Sequence, residues 1–376
     1  MTKKRKSFML LISMVLVLAL LVGCGSGKTQ EPAAVGTEEA AEESGTENTG
    51  ETAETEKTDD GGDYHITFVT PLIGHDSWLQ AKDALFEAGE DLGFEAEWVG
   101  PADGNVDEMI NYLEIAISQN VSGIITQGQN PEAMVSVLTK AYEAGIPVCV
   151  IDSPIEDAPQ LGYIGFDLEA GAKIGVEAAY EHFGADAEIN ALFLTTNIDY
   201  TAATTAYDYY CEYLEEYYGD HFKIQQQATQ GDSLKCMEVV ETCILADDTI
   251  NCIFCIDGIA APAAYAVLEE HDLAEDVFIV GIDDTDEQID MIRDGKLYGV
   301  TYGSFYKQAY QSCMWIMDYI QDGTVPEYVY NDVGTMMINA ENVDSYKEIA
   351  NDKSSWTNYE PIPSLYPDGD FTREEY

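Results

Sequence analysis

Three aspartates stand where binding chemistry is easiest to place. Asp152 follows Gly145-Ile-Pro-Val-Cys-Val-Ile, Asp257 follows Asn251-Cys-Ile-Phe-Cys-Ile, and Asp283 follows Val277-Phe-Ile-Val-Gly-Ile. Each ends an apolar run of strand length and opens a loop. A carboxylate so placed accepts two hydrogen bonds at once from donors on adjacent atoms of a solute, and such charge-assisted bonds are the strong kind. The same position also suits capping of the next helix. Asp283, followed by Asp284-Thr285-Asp286, is the most open to that second use. A carboxylate group could also serve glycoside hydrolysis. However, the chain has no Gly-x-Ser-x-Gly turn and no His-Glu-x-x-His helix, and no apolar pocket that would tune one carboxyl as an acid is legible. The expectation is binding without catalysis; a secreted carbohydrate-active enzyme is the remote alternative.

Other motifs dissolve on inspection. Cys252 and Cys255 form a C-x-x-C, but within a strand, where residues three apart face opposite sides. Buried free thiols are the better account. The acidic run from Asp284 is not a calcium loop, because Ile289 holds the sixth position, which requires glycine. Gly25-Ser26-Gly27-Lys28-Thr29 resembles the end of a phosphate-binding loop, yet Val22 stands where the first glycine belongs. No metal and no cofactor is expected.

The aspartates need a scaffold, and the pattern supplies one. Residues 65–70, 94–99, 123–126 and 147–151 read as strands. Between them, 78–92, 106–119 and 131–144 carry apolar residues at helical spacing. The alternation restarts with strands at 163–166, 191–194, 223–228, 252–256, 277–280 and 297–302. Helices fall at 168–183, after 194 through about 218, and at 234–245, 260–271, 286–294 and 306–321. Such a rhythm implies parallel sheets wrapped by helices, in two tandem α/β halves.

The ends set the compartment. Lys3, Lys4, Arg5 and Lys6 precede a nearly unbroken apolar run, 8–22, too short to span a bilayer comfortably. A signal peptide over 1–23 is expected rather than a permanent transmembrane anchor. Leu21-Val22-Gly23-Cys24 resembles the bacterial lipobox, which implies acylation of Cys24 as a lipid anchor on the outer face of the cytoplasmic membrane, at the cell surface or in the periplasm. Residues 24–62, rich in Glu, Thr, Ala, Gly and Ser, cannot bury enough surface to order themselves and read as a flexible acidic linker. With 70 acidic against 17 basic residues, the net charge of −53 argues against nucleic-acid binding. Eight cysteines leave seven after Cys24, an odd number that argues against a complete disulfide framework. Roughly 310 residues beyond the linker suit two domains.

From about His65 to Tyr346 the chain resembles the sugar-binding type 1 periplasmic binding proteins, the ribose- and galactose-type receptors of ABC importers. The resemblance rests on His75-Asp76-Ser77-Trp78 after the first strand, Gly145-Ile-Pro-Val-Cys-Val-Ile-Asp152, and Val280-Gly-Ile-Asp283. It implies two Rossmann-like lobes joined by a three-segment hinge: 64–166 plus 304–333, and 167–303 plus 334–348, followed by a C-terminal extension over 349–376. It implies capture of a monosaccharide or derivative between the lobes, by a monomer, with His75, Trp78, Gln127, Asp152, Asp257, Asp283, Thr204 and Tyr302 as ligand-binding residues. Trp78 would offer its indole to the C–H face of a sugar ring, and His75 would stand where the family uses a hydroxyl-binding asparagine. The partner implied is the membrane permease of an ABC importer. The alternative is a sensor kinase or chemoreceptor that reads a sugar or a furanosyl signal. The sequence departs from the ribose type in lacking its usual arginines, with Ser153 and Thr204-Thr205-Ala206 in their places. The aspartates thus lose a charge partner.

Overall fold

The computed structural model of the protein describes Glu56–Lys57 and residues 64–376, except 75, 103, 129–130, 200, 357–358, 367 and 374–375. The expected leader, the lipid-anchor residue Cys24, most of the linker and the ligand candidate His75 lie outside the described residues.

The first half runs β1 (Glu56–Lys57), β2 (His65–Val69), α1 (Asp76–Leu92), β3 (Glu95–Val99), α2 (Val106–Ser118), β4 (Gly123–Gln127), α3 (Pro131–Glu143), β5 (Val148–Ile151) and β6 (Gly162–Gly165). The second runs α4 (Leu168–Phe183), β7 (Ile189–Thr195), α5 (Thr201–Tyr218), β8 (Phe222–Ala228), α6 (Ser233–Ala246), β9 (Cys252–Cys255), α7 (Ala260–Glu270), β10 (Phe278–Ile282), α8 (Asp286–Arg293) and β11 (Gly299–Tyr302). Then come α9 (Phe305–Asp322), β12 (Tyr330–Asp332), β13 (Met336–Asn339) and α10 (Tyr346–Ala350).

Two sheets form, in the orders β1-β3-β2-β4-β5-β6-β12 and β13-β11-β10-β9-β7-β8. Within each the strands are parallel, except that β1 and β13 pair antiparallel at an edge. Each half thus starts in the middle of its sheet, turns one way for one strand and then the other way for the rest. That reversal opens a crevice at the carboxyl ends of the strands.

Continuous apolar strands are what two-sided burial requires. In β5, Val148 and Val150 face α2 and α3, whereas Cys149 and Ile151 face α1 and α9. In β9, Cys252 and Phe254 face α4 and α5, whereas Ile253 and Cys255 face α6 and α7. The C-x-x-C cysteines therefore sit on opposite faces of the sheet, as the strand reading requires.

The chain passes between the sheets at Phe166–Asp167, Gly303–Ser304 and 333–335, and the three passages pack together. Val333 N–H donates to the Gly165 carbonyl at 2.9 Å, and Asp167 N–H to Thr335 Oγ1 at 2.9 Å. A Cβ on Gly303 would lie 2.9 Å from Val333 Cγ1 and 3.2 Å from Phe166 Cδ2, so the close approach needs glycine there.

The segment after α10 makes a fourth passage that the sequence did not announce. Tyr346 is buried in the second lobe, whereas Trp356 and Ile362 are buried in the first. Around Pro361 the segment pairs with the free edge of β12: Asp332 N–H donates to the Glu360 carbonyl at 2.9 Å and Ile362 N–H to the Tyr330 carbonyl at 3.2 Å. A bare strand edge invites pairing with other chains, and the tail covers this one. Arg373 then reaches the Leu161 carbonyl at 2.7 Å, and Val148 N–H donates to the Tyr376 hydroxyl at 3.3 Å.

Candidate functional site

Asp152 and Asp283 are built alike. Each follows the last residue of a buried strand, β5 and β10, and each holds a left-handed backbone, with φ of 63° and 69°. Side chains other than glycine rarely take that conformation. Aspartate and asparagine are the tolerated exceptions, and such positions cluster at ligand sites. The left-handed turn ends each strand abruptly and frees the carboxylate from the sheet.

The scaffold holds Asp152 firmly. Its N–H donates to Gln308 Oε1 at 2.8 Å, and its carbonyl accepts from the Tyr163 hydroxyl at 2.6 Å. Gln308 is fully buried and its Nε2 donates to the Gly303 carbonyl at 3.1 Å, in the second passage between lobes. The Asp152 carboxylate accepts from Gln127 Nε2 at 2.7 Å and from Ser153 Oγ at 3.2 Å. Burial nevertheless pushes its pKa up, with those two bonds pulling back.

Gln127 ends β4 and is 7% exposed. Its Nε2 serves Asp152 and Ser153, but its buried Oε1 has no hydrogen-bond partner. An orphaned buried acceptor carries a desolvation cost that a ligand donor would remove.

Asp283 is not a helix cap. Thr285 caps α8, accepting from Gln288 N–H, so the Asp283 carboxylate is left for other use. Its pKa is pushed up to about 7, first by burial and then by the charges of Asp152, Asp284 and Asp257. Asp152 belongs to the first lobe and the other three to the second, so acidic groups of both lobes bear on one space.

Asp257 follows β9 and is engaged within its own lobe. Its Oδ2 accepts from Thr196 Oγ1 at 3.1 Å and from Thr229 Oγ1, and its Oδ1 accepts from Ile259 N–H at 3.3 Å.

The remaining candidates separate. Trp78 lies in α1, only 7% exposed, edge-on to Phe68 and Phe305 with ring centroids 6.4 and 5.0 Å away. Most of its indole is committed to the core. Tyr302 is buried, packs edge-on against Tyr346, and has its pKa raised by burial and by Asp284 and Asp283. Thr204 is exposed on α5, where its hydroxyl donates to the Ile198 carbonyl at 3.3 Å.

Two residues escaped the sequence reading. Gln80 of α1 donates through Nε2 to Asp284 Oδ1 at 2.8 Å, a bond that joins the lobes directly. Asp284 Oδ2 accepts from the Tyr346 hydroxyl at 2.8 Å. Only the adjacency of Asp284 to Asp283 could have drawn attention to it, and nothing in the α1 sequence marks Gln80.

Comparison with known proteins agrees with the two-lobed fold. Residues 66–324 match the periplasmic binding protein domain family. A xylose/arabinose-binding protein of Sulfolobus acidocaldarius is 22% identical over 313 residues, 79% of this chain and 76% of that protein. A D-apiose import binding protein of Actinobacillus succinogenes is 23% identical over 261 residues, 69% of this chain and 83% of that protein. Among solved structures, an ABC-transporter solute-binding protein from Burkholderia graminis, in complex with D-arabinose, superposes with a TM-score of 0.70 at 20% identity. The superposition covers 77% of this chain and 99% of that one. At that identity the likeness speaks for the fold.

Proposed function

The chain belongs to the periplasmic binding protein domain family, and from that premise we propose that it captures a small sugar between its lobes by hinge closure. The single observation that carries this reading is the matched pair Asp152 and Asp283. They are strand-end carboxylates on different lobes, both in left-handed turns, with the orphaned Gln127 Oε1 beside one of them. Hydroxyls on adjacent carbons supply the donors that such a set of acceptors needs. The import-related names among its relatives support delivery to the membrane permease of an ABC importer. The Leu21-Val22-Gly23-Cys24 motif supports export with a lipid anchor at Cys24.

A thermal-shift screen of monosaccharides tests the capture. A ligand at about a hundred times its Kd stabilises the folded state by about 2.7 kcal/mol, so the true ligand raises the melting temperature by several degrees. If no monosaccharide does so at millimolar concentration, the proposal falls. The anchor has its own test in a bacterial host: Cys24→Ala moves the protein from the membrane fraction to the soluble exported fraction. An unchanged membrane fraction would refute acylation at that residue.

A further inference from the structure

The loops at the carboxyl ends of the parallel strands share one property. After β2, β3, β4, β5 and β6 they read Thr70–His75, Gly100–Asn105, Gly128–Asn130, Asp152–Leu161 and Phe166–Asp167. After β7, β8, β9, β10 and β11 they read Thr196–Tyr200, Thr229–Asp232, Ile256–Ile259, Asp283–Thr285 and Gly303–Ser304. None of the ten contains a lysine or an arginine. Carboxylates, by contrast, enter seven of them, with Asp103, Asp152, Asp167, Asp199, Asp232, Asp257, Asp283 and Asp284.

Three lysines of the helices, Lys307, Lys235 and Lys347, are engaged away from Asp152 and Asp283. Lys307 in the first turn of α9 points its ammonium to the Val333 carbonyl at 2.8 Å, over the rings of Trp356 and Tyr359. Lys235 in the first turn of α6 pairs with Glu238 at 3.0 Å. Lys347 comes no closer than 4.0 Å to Asp284, whose two oxygens already serve Gln80 and Tyr346. Among the described residues, no basic group acts on Asp152 or Asp283, and the neighbouring charges that act on Asp283 are all negative.

A neutral polyol would satisfy hydrogen bonds there but leave the charges unbalanced. Closure over uncompensated carboxylates is costly, because buried charges require partners of opposite sign. The Gln127 Oε1, 7% exposed as a residue and without a hydrogen-bond partner, adds a further acceptor that a donor-rich group would satisfy. An ammonium, with its positive charge and several N–H donors, meets all of these needs at once.

We infer that the ligand carries a protonated amine: an amino sugar, imino sugar or comparable cationic polyol, whose nitrogen seats among Asp152, Asp283 and the Gln127 amide oxygen. The inference rests on the sugar-capture reading and sharpens it.

Isothermal titration at about pH 7 tests it with matched sets. D-glucose, D-galactose and D-xylose are each compared with an amino or imino counterpart; the N-acetylated hexosamines and D-galacturonate complete the panel. An amine-bearing member binds about tenfold or more tightly than both its neutral parent and its N-acetyl form. Asp283→Asn collapses that preference, while circular dichroism shows the fold retained. Neutral parents that bind as tightly as their amine counterparts overturn the inference and leave sugar capture standing. Binding of galacturonate alone overturns it as well. If no member of the panel binds, the sugar reading fails and takes this inference with it.

Discussion

Asp283→Asn is expected to make the empty protein more stable near pH 8 and, at the same time, to remove most of its affinity for ligand. The native carboxyl has its pKa near 7, against about 3.9 for an unfolded aspartate. Between those values the folded state holds a proton that the unfolded state has released. Stability contributed by this group therefore falls as pH rises from about 4 to about 7, and stays low above that. The charged groups that face it are Asp152 beyond β5, Asp257 beyond β9 and the adjacent Asp284; the buried Tyr302 of β11 also senses it. All are acidic, so none offsets the cost. The full shift would correspond to about 4 kcal/mol, but the residue keeps some exposure, and on the order of 1–3 kcal/mol is the realistic gain on substitution. Asparagine tolerates the left-handed backbone at least as well as aspartate, so the change isolates the charge. Urea denaturation from about pH 4 to pH 8 should show the two proteins converging at the acid end and separating above neutrality. A variant less stable than the parent throughout would show that the charge is balanced in the folded protein. The lost charge-assisted bonds reduce affinity by about ten- to a hundredfold.

Trp356→Ala carries the second large effect. The indole is 3% exposed, with ring centroids 5.7 Å from Tyr310 and 6.4 Å from Tyr306, and its Nε1 donates to the Ala350 carbonyl at 3.2 Å. Truncating a buried tryptophan costs about 3–5 kcal/mol. The nearby Lys353 pairs with Glu87 and Asp91 are exposed, and such pairs contribute about 1 kcal/mol or less each. The aromatic anchor therefore decides whether the tail stays docked. Urea unfolding at constant pH should register the loss, and limited proteolysis should cut the variant between Trp356 and Tyr376 well before the parent. Equal denaturation midpoints with equal protease resistance would mean that the tail is held elsewhere.

Strand ends were the most legible part of the site. Asp152, Asp257 and Asp283 each follow an apolar run long enough to declare a strand, and the loop position follows from where the run stops. What the sequence could not resolve was which aspartate does local work. Asp257 is taken up by Thr196 and Thr229, which are remote in sequence, and the role of Thr285 as the α8 cap is clear only from geometry. Trp78 shows the limit of local pattern. A tryptophan opening a helix beside a cleft suits a sugar platform, yet Phe305, 227 positions further on, claims one of its edges. The Gln80–Asp284 bond depends on two lobes meeting, which no periodicity encodes. β12 and β13 run three and four residues, too short to register as apolar runs, and β12 includes Asn331 and Asp332. The tail, rich in Tyr and Pro, has no repeat because it follows the contours of the first lobe and forms no sheet or bundle of its own.

One amide ties the geometry of capture to the geometry of bending. Gln308 reaches forward to the backbone of Asp152 and back to the carbonyl of Gly303. A rotation about the second passage therefore shifts the backbone anchor of Asp152, the carboxylate proposed to bind ligand. In mechanical terms, the pivot and the jaw share a rigid strut. A perturbation of the pivot, distant from any ligand atom, is then read out as a change in grip, and occupancy of the jaw is reported at the pivot.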